Sequence, residues 1–204
     1  MERKSHWEEV YQSKDPQEVS WYQPHSERSL QLIREQAPDD ATAIIDVGGG
    51  ASTLVDDLLA AGYRELAVLD LSGVALQRTQ ERLGTSACAI QWIEADVLEV
   101  ELPQAGFDVW HDRAVFHFLT SSRDQQRYVA QVRHALRPRG YIVISTFAED
   151  GPSRCSGLEV QRHSPESLQA VFGTDLRLVH SSRELHVTPA GREQAFIYCV
   201  FQAS

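Results

Sequence analysis

Within one ten-residue segment, Trp110–Leu119 (WHDRAVFHFL), Asp112, Arg113 and His117 bring an acid, a permanent cation and an imidazole into otherwise apolar and aromatic surroundings. A buried segment has to pair, neutralise or hydrogen-bond such groups. At the rim of a crevice the same three could meet a substrate, with His117 as a base near neutral pH. Two plainer readings stand beside that one. Asp112 and Arg113 could pair with each other or cap backbone in a turn, and His117 could be a satisfied, partly buried histidine. A metal site from His111, Asp112 and His117 matches no standard ligand spacing.

A second group lies upstream. Asp46 precedes Gly48-Gly49-Gly50, where an apolar run stops and a helical pattern begins. In an open α/β sheet such a turn lies in the ligand crevice, and glycine lets backbone approach a ligand closely. Asp70-Leu71 ends the next apolar run, placed for an acid to accept from ribose hydroxyls. Asp96-Val97 follows a third run, where a carboxylate and a backbone N–H can read an adenine edge. These polar ends suit an adenosine laid across a sheet. A pyrophosphate-bearing dinucleotide would meet the Asp46 carboxylate, and Thr53 stands where its fingerprint needs a third glycine. S-adenosylmethionine carries an ammonium and a sulfonium instead, which an acid favours.

Stepping outward, the elements that must hold these residues alternate. Strands are expected at Ala43–Val47, Leu66–Asp70, Ala89–Ile93, Phe107–His111 and Tyr141–Phe147. Helices are expected after the glycine loop, from Ser72 to Leu83, and from Gln125 to Leu136, the last closed by Pro138-Arg139-Gly140. This alternation predicts right-handed crossovers and a parallel sheet covered on both faces. A helix opened by Ser164-Pro165-Glu166 then precedes Leu176–Leu185 and Ala195–Phe201, which flank Thr188-Pro189-Ala190-Gly191 as an antiparallel hairpin. The expected fold is an α/β, Rossmann-like, doubly wound seven-stranded sheet, mostly parallel with that hairpin at its C-terminal end. One domain over residues 1–204 is expected: a cap at 1–37, a cofactor-binding core at 41–147, and a substrate-side remainder at 148–204.

A net charge of −10 argues against nucleic acid or an anionic membrane as partner. The three cysteines, Cys88, Cys155 and Cys199, form neither a disulfide framework nor a metal pair. No run reaches transmembrane length, and the charged N-terminus lacks a signal core, so a cytoplasmic location is expected. Oligomeric state is left open.

The stretches IIDVGGG, VLD, EADV and LRPRGYIVISTF, from Ile44 to Phe147, resemble the class I S-adenosylmethionine-dependent methyltransferases. The resemblance implies that Gly48, Gly49 and Gly50 wrap the methionyl and ribose parts, that Asp70 binds the ribose, and that Asp96 faces the adenine. His111 would offer its carbonyl to the cofactor's amino group. Trp7, Tyr11 and Trp21 look like the aromatic cap of small methyltransferases and would face the sulfonium. The segment after the fourth strand resembles D-R-[AG]-[AT]-L-x-A-L of thiopurine methyltransferase-like enzymes at Asp112, Arg113, Ala114 and Leu119. It also resembles D-K-G-T-x-D-A of lysine methyltransferases related to the elongation-factor enzymes. There Arg113 replaces the lysine, and His117 stands where a second acid belongs.

The resulting expectation is methyl transfer by SN2 displacement to a small-molecule acceptor, a thiol or other soft nucleophile, with Asp112, Arg113 and His117 beside it. The alternatives are a protein-lysine N-methyltransferase, an NAD-dependent oxidoreductase and a cofactor-binding module that catalyses nothing. The long segment Phe147–Leu158 adds Arg154, and with Arg162 and His163 beyond it could bind an anionic acceptor, while Cys155 could be exposed.

Overall fold

Apolar residues in the first strand run without alternation, and the reason is that both faces of the sheet are covered. The computed structural model describes residues 3–204. In β1 (Ala43–Val47), Ile44 packs with Leu32 and Ile33 of α2 (Glu27–Gln36) and with Leu54, Val55 and Leu58 of α3 (Leu54–Ala60). Its neighbour Ile45 points the other way, into the cluster holding Tyr128, Val129 and Val132 of α5 (Ser122–Ala135) and Leu168 and Phe172 of α6 (Pro165–Phe172). Successive strand residues face opposite sides, so a strand buried on both has to be apolar throughout.

The remaining strands are β2 (Glu65–Asp70), β3 (Ile90–Glu94), β4 (Phe107–Arg113), β5 (Leu136–Phe147), a two-residue pair β6 (Arg154–Cys155) and β7 (Leu158–Glu159), then β8 (Leu176–Val187) and β9 (Glu193–Ala203). The main sheet has seven strands in the order β3-β2-β1-β4-β5-β9-β8. Neighbours from β3 to β5 are parallel, while β9 is antiparallel to both β5 and β8. Strand order reverses between β1 and β4, which opens a crevice at the carboxyl ends of those strands.

Helix α4 (Gly73–Leu83) is capped as the sequence implies, with Ser72 Oγ accepting from Ala75 N at 3.1 Å. Several boundaries differ from the expected ones. Strand β4 runs on to Arg113, carrying Asp112 into the sheet, and Leu136 opens β5 opposite Phe107 instead of ending α5. Helical periodicity continues through Leu136, but its burial against Phe107 decides its state. The β6–β7 pair had no sequence signal. Helix α1 (Arg3–Ser13) lies over the crevice, and among the described residues no helix is long and apolar enough to cross a membrane.

Candidate active site

Glycine at position 48 is required twice over. Its φ is +72°, and an added Cβ would collide with the Val115 side chain. The loop therefore touches the segment after β4 with bare backbone. At Gly50 an added Cβ would meet Asp70 Oδ2 at 2.5 Å, and the Gly50 N–H donates to that same oxygen at 2.9 Å. Asp70 Oδ1 accepts from Ser72 N at 2.8 Å. Burial pushes the Asp70 carboxyl up to about 6, against the pull of the Ser72 and Gly50 N–H groups.

Asp46 is held from the next strand. Its Oδ1 accepts from His111 Nδ1 at 2.6 Å, and His111 Nε2 lies 2.9 Å from Ser29 Oγ on α2. A carboxylate only accepts, so the His111 Nδ1–H donates to Asp46. This leaves Asp46 Oδ2 buried without a partner. The His111 ring thus orients Asp46, a contact separate from the expected one through its carbonyl.

Gly48 and Asp70 border one cleft, whereas Gly50 lines neither it nor the chamber beside it. Val47, Gly48, Leu69, Asp70, Leu71, Asp96 and Val97 form its floor, and Trp7, Tyr11 and Trp21 lie across it. Its free space is about 830 Å³, a figure that includes open solvent at the mouth. A polar side chamber, bordered by Asp46, Gly49, Ser52, Thr53 and His111, shares Gly48, Tyr11, Trp21 and Arg113 with it. The cap rings pack edge to face, Trp7 on Trp21 at 5.8 Å, Trp7 on Phe118 at 5.1 Å and Tyr11 on Trp21 at 6.2 Å between centroids.

Glu8 fastens the cap. Its carboxylate accepts from Ser72 Oγ and Gly73 N, both at 3.0 Å, at the N-terminus of α4 where negative charge is favoured. Arg3 reaches Asp124 on α5 at 2.5 Å, an exposed pair worth little by itself.

The segment after β4 corrects two expectations. Asp112 is fully buried and borders neither chamber. Its Oδ1 accepts from Val115 N at 2.9 Å, and its Oδ2 from Phe116 N at 3.0 Å and Tyr128 Oη at 2.6 Å. Tyr128 Oη in turn accepts from Trp110 Nε1 at 2.8 Å. This network fixes the turn in which Ala114 sits at φ +73°. Burial raises the Asp112 carboxyl to about 6, although the Tyr128 hydroxyl and Val115 N–H oppose it.

His117 is also fully buried, stacked near Phe118 and Phe147, with both ring nitrogens unpartnered. Burial pushes it down to about 3, so it is neutral and a poor base. The geometry takes Asp112 and His117 out of the cleft: β4 runs on past Asp112 and buries it, and a helical turn at Phe116–Phe118 buries His117 against Phe118 and Phe147.

Arg113 alone of the three borders the cleft. It donates from Nε to Tyr198 Oη at 3.1 Å and from Nη1 to Trp21 O at 3.0 Å, with its guanidinium carbon 4.8 Å from the Phe196 ring centroid. Arg3, Val47, Leu69, Ala95, Ala114, Val115, Phe118 and Leu119 line the cleft beyond the residues expected to bind the cofactor, and Cys155 of the long segment lines it too. Cys155 is buried in the wall, not exposed, and burial raises its thiol to about 11. Arg154 instead pairs with Glu159 at the surface, and His163 is buried.

Over residues 44–140 the sequence matches the family described as a methyltransferase domain. It is 25% identical over 147 residues to the eEF1A lysine and N-terminal methyltransferase of Mus musculus, covering 69% of this chain but 21% of that protein. It is 29% identical over 131 residues to an uncharacterised methyltransferase of Mycobacterium tuberculosis, covering 62% of this chain and 60% of the relative. The chain thus spans only part of each. In fold it is similar to the Burkholderia thailandensis 1,6-didemethyltoxoflavin-N1-methyltransferase, crystallised with S-adenosylhomocysteine. That match has a TM-score of 0.68 and 20% identity, and covers 87% of this chain and 77% of the other.

Proposed function

We propose that the chain is an S-adenosylmethionine-dependent methyltransferase acting on a small-molecule nucleophile, a reading supported by the methyltransferase-domain match at residues 44–140 and by the fold. The observation that carries the reading is one cleft in which the glycine loop, Asp70 and Asp96 face an aromatic cap of Trp7, Tyr11 and Trp21.

The residues suit the cofactor in charge and shape. Asp46 Oδ2 is a buried acceptor with no partner, matched to the ammonium of a methionyl group. Bare backbone at Gly48 and Gly49 admits that end into the side chamber. Asp70, already carrying backbone donors, keeps lone pairs for ribose hydroxyls, and Asp96 with Val97 lines the cleft floor, where they would face the adenine. S-adenosylmethionine supplies an electrophilic methyl group on a sulfonium. Trp7, Tyr11 and Trp21 exclude water and present ring faces to positive charge, while Ala114, Val115 and Phe118 leave an apolar approach for the nucleophile.

Protein lysine is the second reading, favoured by the name of the mouse relative. A cationic amine is opposed by Arg113, the charged side chain at the end of β4 in the cleft. Titration with S-adenosylhomocysteine and NAD, then an acceptor screen with isotopically labelled cofactor, tests both. Binding of S-adenosylhomocysteine with label in small products is expected. NAD binding without S-adenosylhomocysteine binding would sink the methyltransferase activity, and label confined to lysines of lysate proteins would overturn the small-molecule acceptor.

A further inference from the structure

Building on that reading of the cleft, we propose that Arg113, Glu184 and His186 clamp a strap at residues 20–23 and are positioning residues that act through Trp21. The strap lies in the connection between α1 and α2. Trp21 borders both the cleft and the polar side chamber, so its place sets the junction between them.

The strap has little of its own to fix it. Ser20, Trp21, Tyr22 and Gln23 are all half-buried. Among the described residues, their local backbone support is one turn bond, from Tyr22 N to Val19 O at 3.0 Å. Partly buried carbonyls still need donors, and here these come from distant side chains. Arg113 Nη1 donates to Trp21 O at 3.0 Å, and His186 Nε2 lies 2.8 Å from Ser20 O. A carbonyl only accepts, so His186 Nε2 carries the proton of that bond. Gln23 Nε2 donates to Glu184 Oε1 at 3.2 Å, and Gln23 O accepts from Thr53 Oγ1 at 3.0 Å.

The clamp is built into one face of the sheet. Glu184 and His186 are two apart on β8 and project from the same side. Phe196 of β9 stands opposite Glu184, and Tyr198 opposite Ser182. The Arg113 guanidinium carbon is 4.8 Å from the Phe196 ring centroid, and the His186 ring packs edge-on to Phe196 at 6.1 Å. Arg113 Nε donates to Tyr198 Oη, which fixes the fork. Arg113 Nη2 and Glu184 Oε2 are buried without hydrogen-bond partners. Burial lowers His186 and raises Tyr198, while Arg113 lowers both and Glu184 raises both, so the two charges stand around the same rings. Glu184 borders neither chamber, which leaves Arg113 as the charge nearer the cleft. The grip on Trp21 O is therefore a charge-assisted bond held from behind by packing.

Amide hydrogen exchange read by mass spectrometry, with calorimetric S-adenosylhomocysteine binding, tests the clamp. His186→Phe removes the donor to Ser20 O and keeps an aromatic ring against Phe196. Exchange in peptides covering residues 20–23 should rise about tenfold while that of α5 is unchanged, and S-adenosylhomocysteine should bind severalfold more weakly. His186→Gln, which keeps an N–H donor, should recover part of both. Arg113→Lys keeps the charge but loses the fork, and should loosen the strap in the same way. In a Trp21→Ala background, His186→Phe should weaken S-adenosylhomocysteine by less than about twofold further, because the clamp acts through that ring.

Strap exchange equal to wild type in both His186→Phe and Arg113→Lys would overturn the clamp. An undiminished loss of affinity in the Trp21→Ala background would overturn the positioning role, and so would faster exchange spread evenly through α5. Failure of the wild type to bind S-adenosylhomocysteine would instead sink the methyltransferase reading, and strap exchange in the free protein would still decide the clamp.

Discussion

Asp70 and Asp112 end neighbouring regions of the same sheet, are both buried, and are both raised to about 6 by burial, yet they belong to opposite kinds of machinery. Asp70 opens onto the cleft between the glycine loop and the start of α4. Asp112 points into the core beneath α5, where it holds a strained turn for its neighbours. A perturbed carboxyl therefore does not by itself mark chemistry; its direction from the strand does. More widely, the floor at β1–β3 is built from residues beside one another in sequence. The wall beyond β4 is assembled from α1, Trp21, the turn at residues 114–119 and Cys155 of β6.

Breaking the wall should have the largest effect. Asp112→Ala strips the acceptor from two backbone N–H groups and the Tyr128 hydroxyl, and is expected to cost about 3 kcal/mol or more in urea unfolding. Unchanged stability would show that Asp112 does not hold the turn. Gly48→Val forces a β-branched residue to positive φ and into Val115, and should lower S-adenosylhomocysteine affinity about tenfold or more. An affinity equal to wild type would separate the loop from the cofactor.

Asp70→Ala sharpens the contrast, since the floor should fail in binding where the wall fails in folding. It is expected to weaken S-adenosylhomocysteine by a few kcal/mol at most, read by calorimetry. The smallest effect belongs to His117→Phe, which replaces an unpartnered imidazole in an aromatic nest. Turnover and its pH profile should persist; a lost alkaline or acidic limb would restore His117 as a base.

The same variant carries a pH signature. His117 stays neutral when folded down to about 3, while in the unfolded chain it protonates below about 6.5. The unfolded state then binds more protons, so stability falls as pH drops from about 6.5 toward about 3. His117→Phe should flatten that decline in denaturant midpoints measured across the window. Asp70 and Asp112 act in the opposite sense between about 4 and about 6, and remain in the variant as the internal reference.

Much of the floor was legible because its signals are local. An apolar run, glycines, a helix cap and an acid at the next strand's end are all chain neighbours, and strand geometry alone carries Asp46, Asp70 and Asp96 to one edge. Trp7, Tyr11 and Trp21 were legible as an aromatic cap, and the structure brings all three to the cleft. Leu136 and the end of β4 were misread because pairing with a neighbouring strand, absent from local periodicity, decided them. Cys155 was legible only as part of a long segment, and its burial in the wall depends on the fold bringing that segment back to the cleft.

The sequence by itself determined the mostly parallel sheet, its C-terminal hairpin and the polar ends of β1–β3, because alternation and turn chemistry act over a few residues. Only the tertiary structure decided which charged residue of WHDRAVFHFL meets the cleft. Side chains alternate along a strand, so carrying β4 on to Arg113 turned Asp112 toward Tyr128 and Arg113 toward Trp21 and Tyr198. Those partners lie far along the chain and are brought there by packing alone.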